Sequence, residues 1–83
     1  MLSLDSFRMS RLEELTARAL VTEAFKDALR VQMEILEAEI EDNESPYVKN
    51  FLLRELIRVV NESLRAGRIS NALTRELIRM HDE

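Results

Sequence analysis

The scarcity of helix-breaking residues is the feature that most constrains this chain. Its 83 residues include one proline and one glycine, the two residue types that most oppose an α-helix. No stretch alternates apolar and polar residues over more than a few positions, so no β-strand is predicted. The sequence therefore predicts an all-α protein, and so short a chain is expected to form a single domain over residues 1–83.

The first predicted helix covers about residues 10–42. Ser10 and Glu13 have the spacing of a capping box, while an earlier start near Ser3 would make residues 1–9 an extra helical turn instead of an N-terminal arm. The helix either continues through Thr22 or is broken there, because polar residues interrupt its apolar stripe at that point. The stripe has steps of three and four residues, and a second apolar row lies beside it. The stripe is Phe25, Leu29, Met33, Leu36 and Ile40, and the row is Leu20, Ala24, Ala28, Val31 and Ile35.

Two further helices are predicted after residue 45. Ser45 is a good N-cap and Pro46 suits a first helical position, so a second helix is expected over about 46–66. Gly67 is placed to end that helix, and Ser70 can cap a short third helix over about 70–81. A short turn at 43–45 makes the first two helices antiparallel neighbours, which predicts a helical hairpin.

The unequal lengths of these helices predict an interaction surface. A helix of about 33 residues is about 50 Å long, whereas the second predicted helix covers only about 30 Å. Part of the first helix would then stay uncovered, and uncovered apolar stripes mark interfaces. The predicted partner interface comprises Leu4, Phe7, Leu12, Leu15 and Ala19.

The charges are distributed unevenly along the chain. Residues 1–45 carry five basic and eleven acidic side chains, and residues 46–83 carry seven basic and five acidic ones. Six of the acidic residues lie between Arg30 and Lys49, with no basic residue among them. In the predicted hairpin, Arg54 and Arg58 would reach toward Glu34 or Glu37, so this acidic stretch needs no ligand. The alternative is that these charges are presented to a partner.

Composition argues against several classes of function. The chain has no cysteine and one histidine, which leaves little basis for a catalytic triad, a metal site or a cofactor site. A single glycine rules out a glycine-rich phosphate loop. No apolar run is long enough to span a membrane, and no signal peptide is apparent. We therefore expect a cytoplasmic protein that is not an enzyme and binds no small-molecule substrate.

DNA binding is the third candidate function. Arginines lie along the second and third predicted helices, and the segment from Leu56 to Met80 resembles a helix–turn–helix in outline. Glutamates interrupt this basic surface, and the whole chain has a net charge of −4. Phosphate contacts supply most of the affinity for nucleic acid, so this charge argues against DNA binding.

The layout resembles that of the small helical-hairpin co-chaperones of type III secretion needle subunits. The residues that carry the resemblance are Arg11-Leu12-Glu13-Glu14-Leu15 at the start of a long helix, Pro46-Tyr47, and the apolar segment 52–60. The resemblance covers residues 10–66 and implies a hairpin that stabilises a repeat-type partner protein. It carries over no functional residue.

The favoured function is a protein–protein interaction module, such as an adaptor, co-chaperone or regulator, that binds by helix packing. The alternative from another class is a self-assembling helical homo-oligomer. In either case the partner is another protein or a second copy of this chain.

Overall fold

Two long helices make up almost the whole described chain. The computed structural model describes the backbone of residues 4–82 and the side chains of residues 10–82. Helix α1 is Leu4–Asp42 and helix α2 is Pro46–Asp82, and residues 4–82 contain no β-strand. The all-α prediction is therefore confirmed. The molecule is a narrow rod of 64 × 18 × 15 Å.

The turn between the helices is held by its own polar groups. The backbone N–H of Ser45 donates to Oδ1 of Asn43 at 3.0 Å. Oγ of Ser45 accepts from the N–H of Val48 at 3.4 Å, which is the bond expected of an N-cap residue. Helix α2 begins at Pro46, as predicted, because a proline at the first helical position has no N–H that would be left unpaired.

Helix α1 begins at the earlier of the two predicted starts and runs without a break. Its first residue is Leu4, and it continues through Thr22. Oγ1 of Thr22 donates to the backbone carbonyl of Arg18 at 2.7 Å, so this side chain is satisfied within the helix. Of the two predicted alternatives at Thr22, the continuous helix is the one observed.

The prediction of a separate third helix is wrong, because α2 continues to Asp82. Gly67 has no positive φ angle and does not end the helix. Ser70 does not cap a helix either, and its hydroxyl donates to a carboxylate of α1. The segment after Gly67 packs Leu73 and Met80 against Leu15, and this burial outweighs the cost of about 1 kcal/mol for a glycine inside a helix.

The side chains that α1 and α2 turn toward each other recur every seven residues. On α2 the buried apolar residues are Leu52, Val59, Ala66, Leu73 and Met80, and on α1 they are Leu15, Leu29 and Leu36. A second set, partly buried, precedes or follows these by three or four residues, as in a coiled coil. It includes Leu12, Ala19, Met33 and Ile40 on α1 and Leu56 and Leu77 on α2. We call these two sets together the inner seam.

Polar residues divide the inner seam into two apolar clusters. The cluster nearer the turn joins the second half of α1 to the first half of α2, and comprises Leu29, Leu36, Leu52, Val59 and Ala66. The other cluster joins Leu15 to Leu73 and Met80. The same sevenfold spacing places polar side chains between the two clusters, and we call these the polar layer: Thr22, Lys26, Ser63 and Ser70.

Candidate interaction surface

Helix α1 carries a second row of apolar side chains on its outside. Starting from Ala17, apolar residues recur at alternating steps of four and three residues, without a polar interruption, as far as Ala38. All of them are exposed, and Val21 and Ile35 retain 69% and 52% of their accessible surface. This row, the α1 outer seam, consists of Ala17, Val21, Ala24, Ala28, Val31, Ile35 and Ala38.

Helix α2 carries a corresponding row with bulkier side chains. Its members also recur at steps of four, three and four residues, and all are exposed. The same spacing continues toward the C-terminus through Gly67, Asn71, Thr74 and Ile78. We call the first four residues of this row the α2 outer seam: Leu53, Ile57, Val60 and Leu64.

Phe25 also lies outside the inner seam, although the sequence placed it in the principal apolar stripe. It retains 50% of its accessible surface, because the sevenfold repeat that faces α2 passes through Thr22 and Leu29 instead. Phe25 and Ile69 border a groove of about 320 Å³ that is floored by Ala66. The small side chain of Ala66 leaves the space between these larger neighbours open.

The predicted partner interface falls largely in the inner seam. Leu15 retains 1% of its surface, and Leu12 and Ala19 pack against the same cluster. The expectation that this stripe stays uncovered is wrong, because α2 extends to Asp82 and covers it. The side chains of Leu4 and Phe7 lie outside the described residues.

The structure does not bring the predicted charge pairs together. The guanidinium of Arg58 binds Glu55 at 3.0 Å and Glu62 at 2.7 Å, both on its own helix. These two carboxylates, Glu55 first, raise the pKa of Arg58 above its ordinary value. No salt bridge within residues 10–82 joins Arg54 or Arg58 to Glu34 or Glu37.

One polar contact links the two helices at the polar layer. Oγ of Ser70, which is buried, donates to Oε1 of Glu23 at 2.6 Å. Nζ of Lys26 donates to the same carboxylate oxygen at 3.3 Å. The hydrogen bond from Ser70 is the main cause that lowers the pKa of Glu23 below its ordinary value, and Lys26 adds to the shift. The contact ties the middle of α1 to the second half of α2.

The described side chains contain no arrangement suited to a metal ion. Among residues 10–82, no three histidine, cysteine or acidic side chains are placed to hold one. Over the same part of the chain, neither helix has an apolar stretch long enough to cross a membrane. The distinctive features of the described surface are its two outer seams.

The sequence analysis placed four residues of the α1 outer seam in a second apolar row, but it identified neither the full α1 outer seam nor the α2 outer seam. The signal was present as a spacing of seven, since Ala17, Ala24, Val31 and Ala38 follow it on α1. Leu53 and Val60 follow it on α2, as do Ile57 and Leu64. Comparison of the chain with protein-family models, with curated protein sequences and with solved structures gave no match. Function must therefore be inferred from these exposed surfaces.

Proposed function

We propose that this chain is a non-enzymatic protein–protein interaction module. In this proposal it acts as an antiparallel helical hairpin, in which the inner seam folds the chain and the outer seams bind protein. The observation that carries the proposal is the α1 outer seam, where seven apolar side chains in a row are exposed. Contiguous apolar surface of this kind marks interaction sites on soluble proteins, whereas single exposed apolar residues are ordinary.

The energetics favour helix packing as the mode of binding. Complete burial of a valine, leucine or isoleucine side chain contributes about 1.5–3 kcal/mol. The two outer seams expose seven such side chains besides their alanines: Val21, Val31, Ile35, Leu53, Ile57, Val60 and Leu64. Because the seams are straight and have helical spacing, the partner surface that fits them is another helix with an apolar stripe.

Adaptor, co-chaperone and regulator functions share this geometry. A co-chaperone like those of type III secretion needle subunits, which the layout resembles, is one specific form of the proposal, in which the hairpin stabilises a repeat-type partner protein. A cytoplasmic location stays a prediction from the sequence. We do not extend the proposal to DNA, because three glutamates lie among the arginines of α2 and two of them bind Arg58.

Affinity capture tests the proposal. Tagged chain is immobilised and exposed to a lysate of the source cell supplemented with a differently tagged copy of the chain. The wild type is compared with an Ala28→Glu, Leu64→Glu double variant, which has one substitution in each outer seam. We expect the wild type to retain a protein, either a cell component or the second copy, and the variant to lose it, because a carboxylate then occupies each apolar seam.

The control is Ala72→Glu, which adds a carboxylate at an exposed position outside both outer seams. Circular dichroism must show equal helix content in all three proteins. The proposal is contradicted if the folded wild type retains nothing, or if the double variant retains the same proteins in the same amounts.

A further inference from the structure

The two outer seams complement each other. We propose that the α1 outer seam of one molecule binds the α2 outer seam of a second copy, with these two helices parallel. This inference rests on the proposed function and names the partner. Each copy thereby uses a different surface from the one that its neighbour uses, so the contact is head-to-tail.

The sizes of the side chains fit this pairing. Four of the seven residues of the α1 outer seam are alanines, while the α2 outer seam holds only leucine, isoleucine and valine. Large side chains packed into positions occupied by alanine fill space that two alanine-rich seams would leave empty. One register of the two seams sets a bulky residue against an alanine at three layers. These layers are Leu53 with Ala17, Val60 with Ala24, and Leu64 with Ala28.

The charges that flank the seams select the same register. In a parallel coiled coil, a residue on one flank faces the residue five positions further along on the partner helix. Applied to this register, the rule places three acidic side chains of α1 opposite three arginines of the second copy. The pairs are Glu13 with Arg54, Asp27 with Arg68, and Glu34 with Arg75.

These charged groups are available for such contacts. All six are exposed, and within residues 10–82 only Asp27 makes a salt bridge, to Arg30 at 3.7 Å. An antiparallel arrangement would instead bring the opposite flank of α1, which includes Arg18, against the same arginines. The parallel register also sets two like-charge pairs near the ends of the contact, Arg18 with Lys49 and Glu41 with Asp82. The three opposite-charge pairs outnumber them.

The charge distribution along the rod agrees with this orientation. The half near the turn, residues 34–58, carries seven acidic and three basic side chains. The other half, residues 10–33 and 59–82, carries seven acidic and eight basic ones. Parallel pairing of α1 with α2 of a second copy places the turn of one molecule beside the open end of the other. The acidic end of each rod then lies against the less acidic end of its neighbour.

The surface of α1 has a depression at one end of the proposed contact. Ala17, Arg18, Val21 and Thr22 form a shallow space of about 280 Å³. The register places Leu53 and Ile57 of the second copy over it. At this end of the α1 outer seam, the side chains that the second copy contributes are the large apolar ones of its α2 outer seam.

A head-to-tail contact makes a specific prediction for mixtures of variants. Ala28→Glu blocks the α1 outer seam, and Leu64→Glu blocks the α2 outer seam. By sedimentation velocity, we expect the wild type to associate and each variant alone to sediment as a single chain. An equimolar mixture should form a one-to-one dimer, because one variant keeps the α2 seam and the other keeps the α1 seam. Ala72→Glu is the matched control and should associate like the wild type.

Each other outcome overturns the inference in a distinguishable way. If Leu64→Glu alone still associates, the contact joins two α1 seams. If Ala28→Glu alone still associates, the α1 seam is not used. A mixture that stays monomeric contradicts the head-to-tail arrangement. A wild type that is monomeric throughout, but captures a different protein through the same seams, overturns this inference and leaves the proposed function standing.

Cross-linking tests the register, since the natural chain contains no cysteine. Under mild oxidation, a mixture of Ala17→Cys and Leu53→Cys chains should form a mixed disulfide dimer. A mixture of Ala17→Cys and Thr74→Cys chains should not, because Thr74 lies at the far end of the parallel contact. The reverse pattern would show an antiparallel contact and would contradict the proposed orientation.

Discussion

The inner seam and the α1 outer seam lie on opposite sides of one helix, yet the exposed one is the more uniformly apolar. Between Ala17 and Ala38 the outer seam contains no polar residue, whereas the inner seam passes through Thr22 and Lys26. Folding of the single chain tolerates a polar layer in its core. The side chains of the outer seam take no part in the packing of α1 on α2, and for this reason we propose that they contact protein.

The largest expected effect is a loss of folding stability at Val59, which is compared with its neighbour Val60. Val59 is fully buried in the inner seam, and Val60 retains 38% of its surface in the α2 outer seam. Val59→Asp buries an unpaired carboxylate and should cost about 3–5 kcal/mol, enough to unfold a small domain. Val60→Asp should leave the folded single chain intact and remove only self-association. Urea unfolding followed by circular dichroism, at low protein concentration, measures the difference. Equal losses at the two positions would contradict the distinction between the seams.

A smaller effect is expected at the open end of the rod. Leu15→Ala removes a buried side chain from the cluster with Leu73 and Met80 and should cost about 2–4 kcal/mol. Leu20→Ala, which changes an exposed leucine of the same helix, should stay within about 0.5 kcal/mol. Hydrogen exchange should place the loss of protection on the last turns of α2. Little loss at Leu15→Ala would show that α2 does not cover α1 there.

Gly67 tests the continuity of α2. It lies inside the helix without a positive φ angle, and a Cβ atom added there would meet nothing within 4 Å. Gly67→Ala should therefore raise stability by about 0.5–1 kcal/mol, with higher helix content by circular dichroism. If residue 67 instead ended a helix in the left-handed conformation, alanine would destabilise the chain. A lower melting temperature for this variant would support the separate third helix.

The smallest expected effect is a pH dependence at the polar layer. The hydrogen bond from Ser70 lowers the pKa of Glu23 below its ordinary value of 4.5. The stabilisation from this contact is therefore complete above pH 4.5 and is lost as the pH falls through the lowered pKa. Ser70→Ala should melt at a lower temperature than the wild type at neutral pH, and the difference should shrink in acid. A difference that is constant across this range would show that the carboxylate of Glu23 is not involved.

Much of the local structure could be predicted from the sequence. The scarcity of breakers predicted an all-helical chain, and Ser45 with Pro46 predicted the start of α2, because both signals act within a few residues. The prediction that α2 ends at Gly67 was wrong. The intrinsic cost of this glycine, about 1 kcal/mol, is real, but the packing of Leu73 and Met80 on a segment of α1 distant in sequence outweighs it.

The assignment of side chains to seams was the harder part. Phe25 and Leu29 fit one helical stripe, but only Leu29 belongs to the sevenfold repeat that faces α2. The repeat was not recognised, because Thr22 and Lys26 are polar residues at core positions and were interpreted as an interruption of the apolar stripe. Leu15 was assigned to a partner interface for a different reason: the false end at Gly67 made the second helix too short to cover it, whereas α2 buries it within the chain.

Sedimentation equilibrium of the unmodified chain tests most directly whether the outer seams join one copy to another. The chain is measured over a wide range of concentration, with circular dichroism on the same samples. We predict an average mass that rises above that of a single chain as the concentration increases, while the helix content stays constant. A chain that is fully helical and has the mass of one molecule at every concentration would contradict contact between copies.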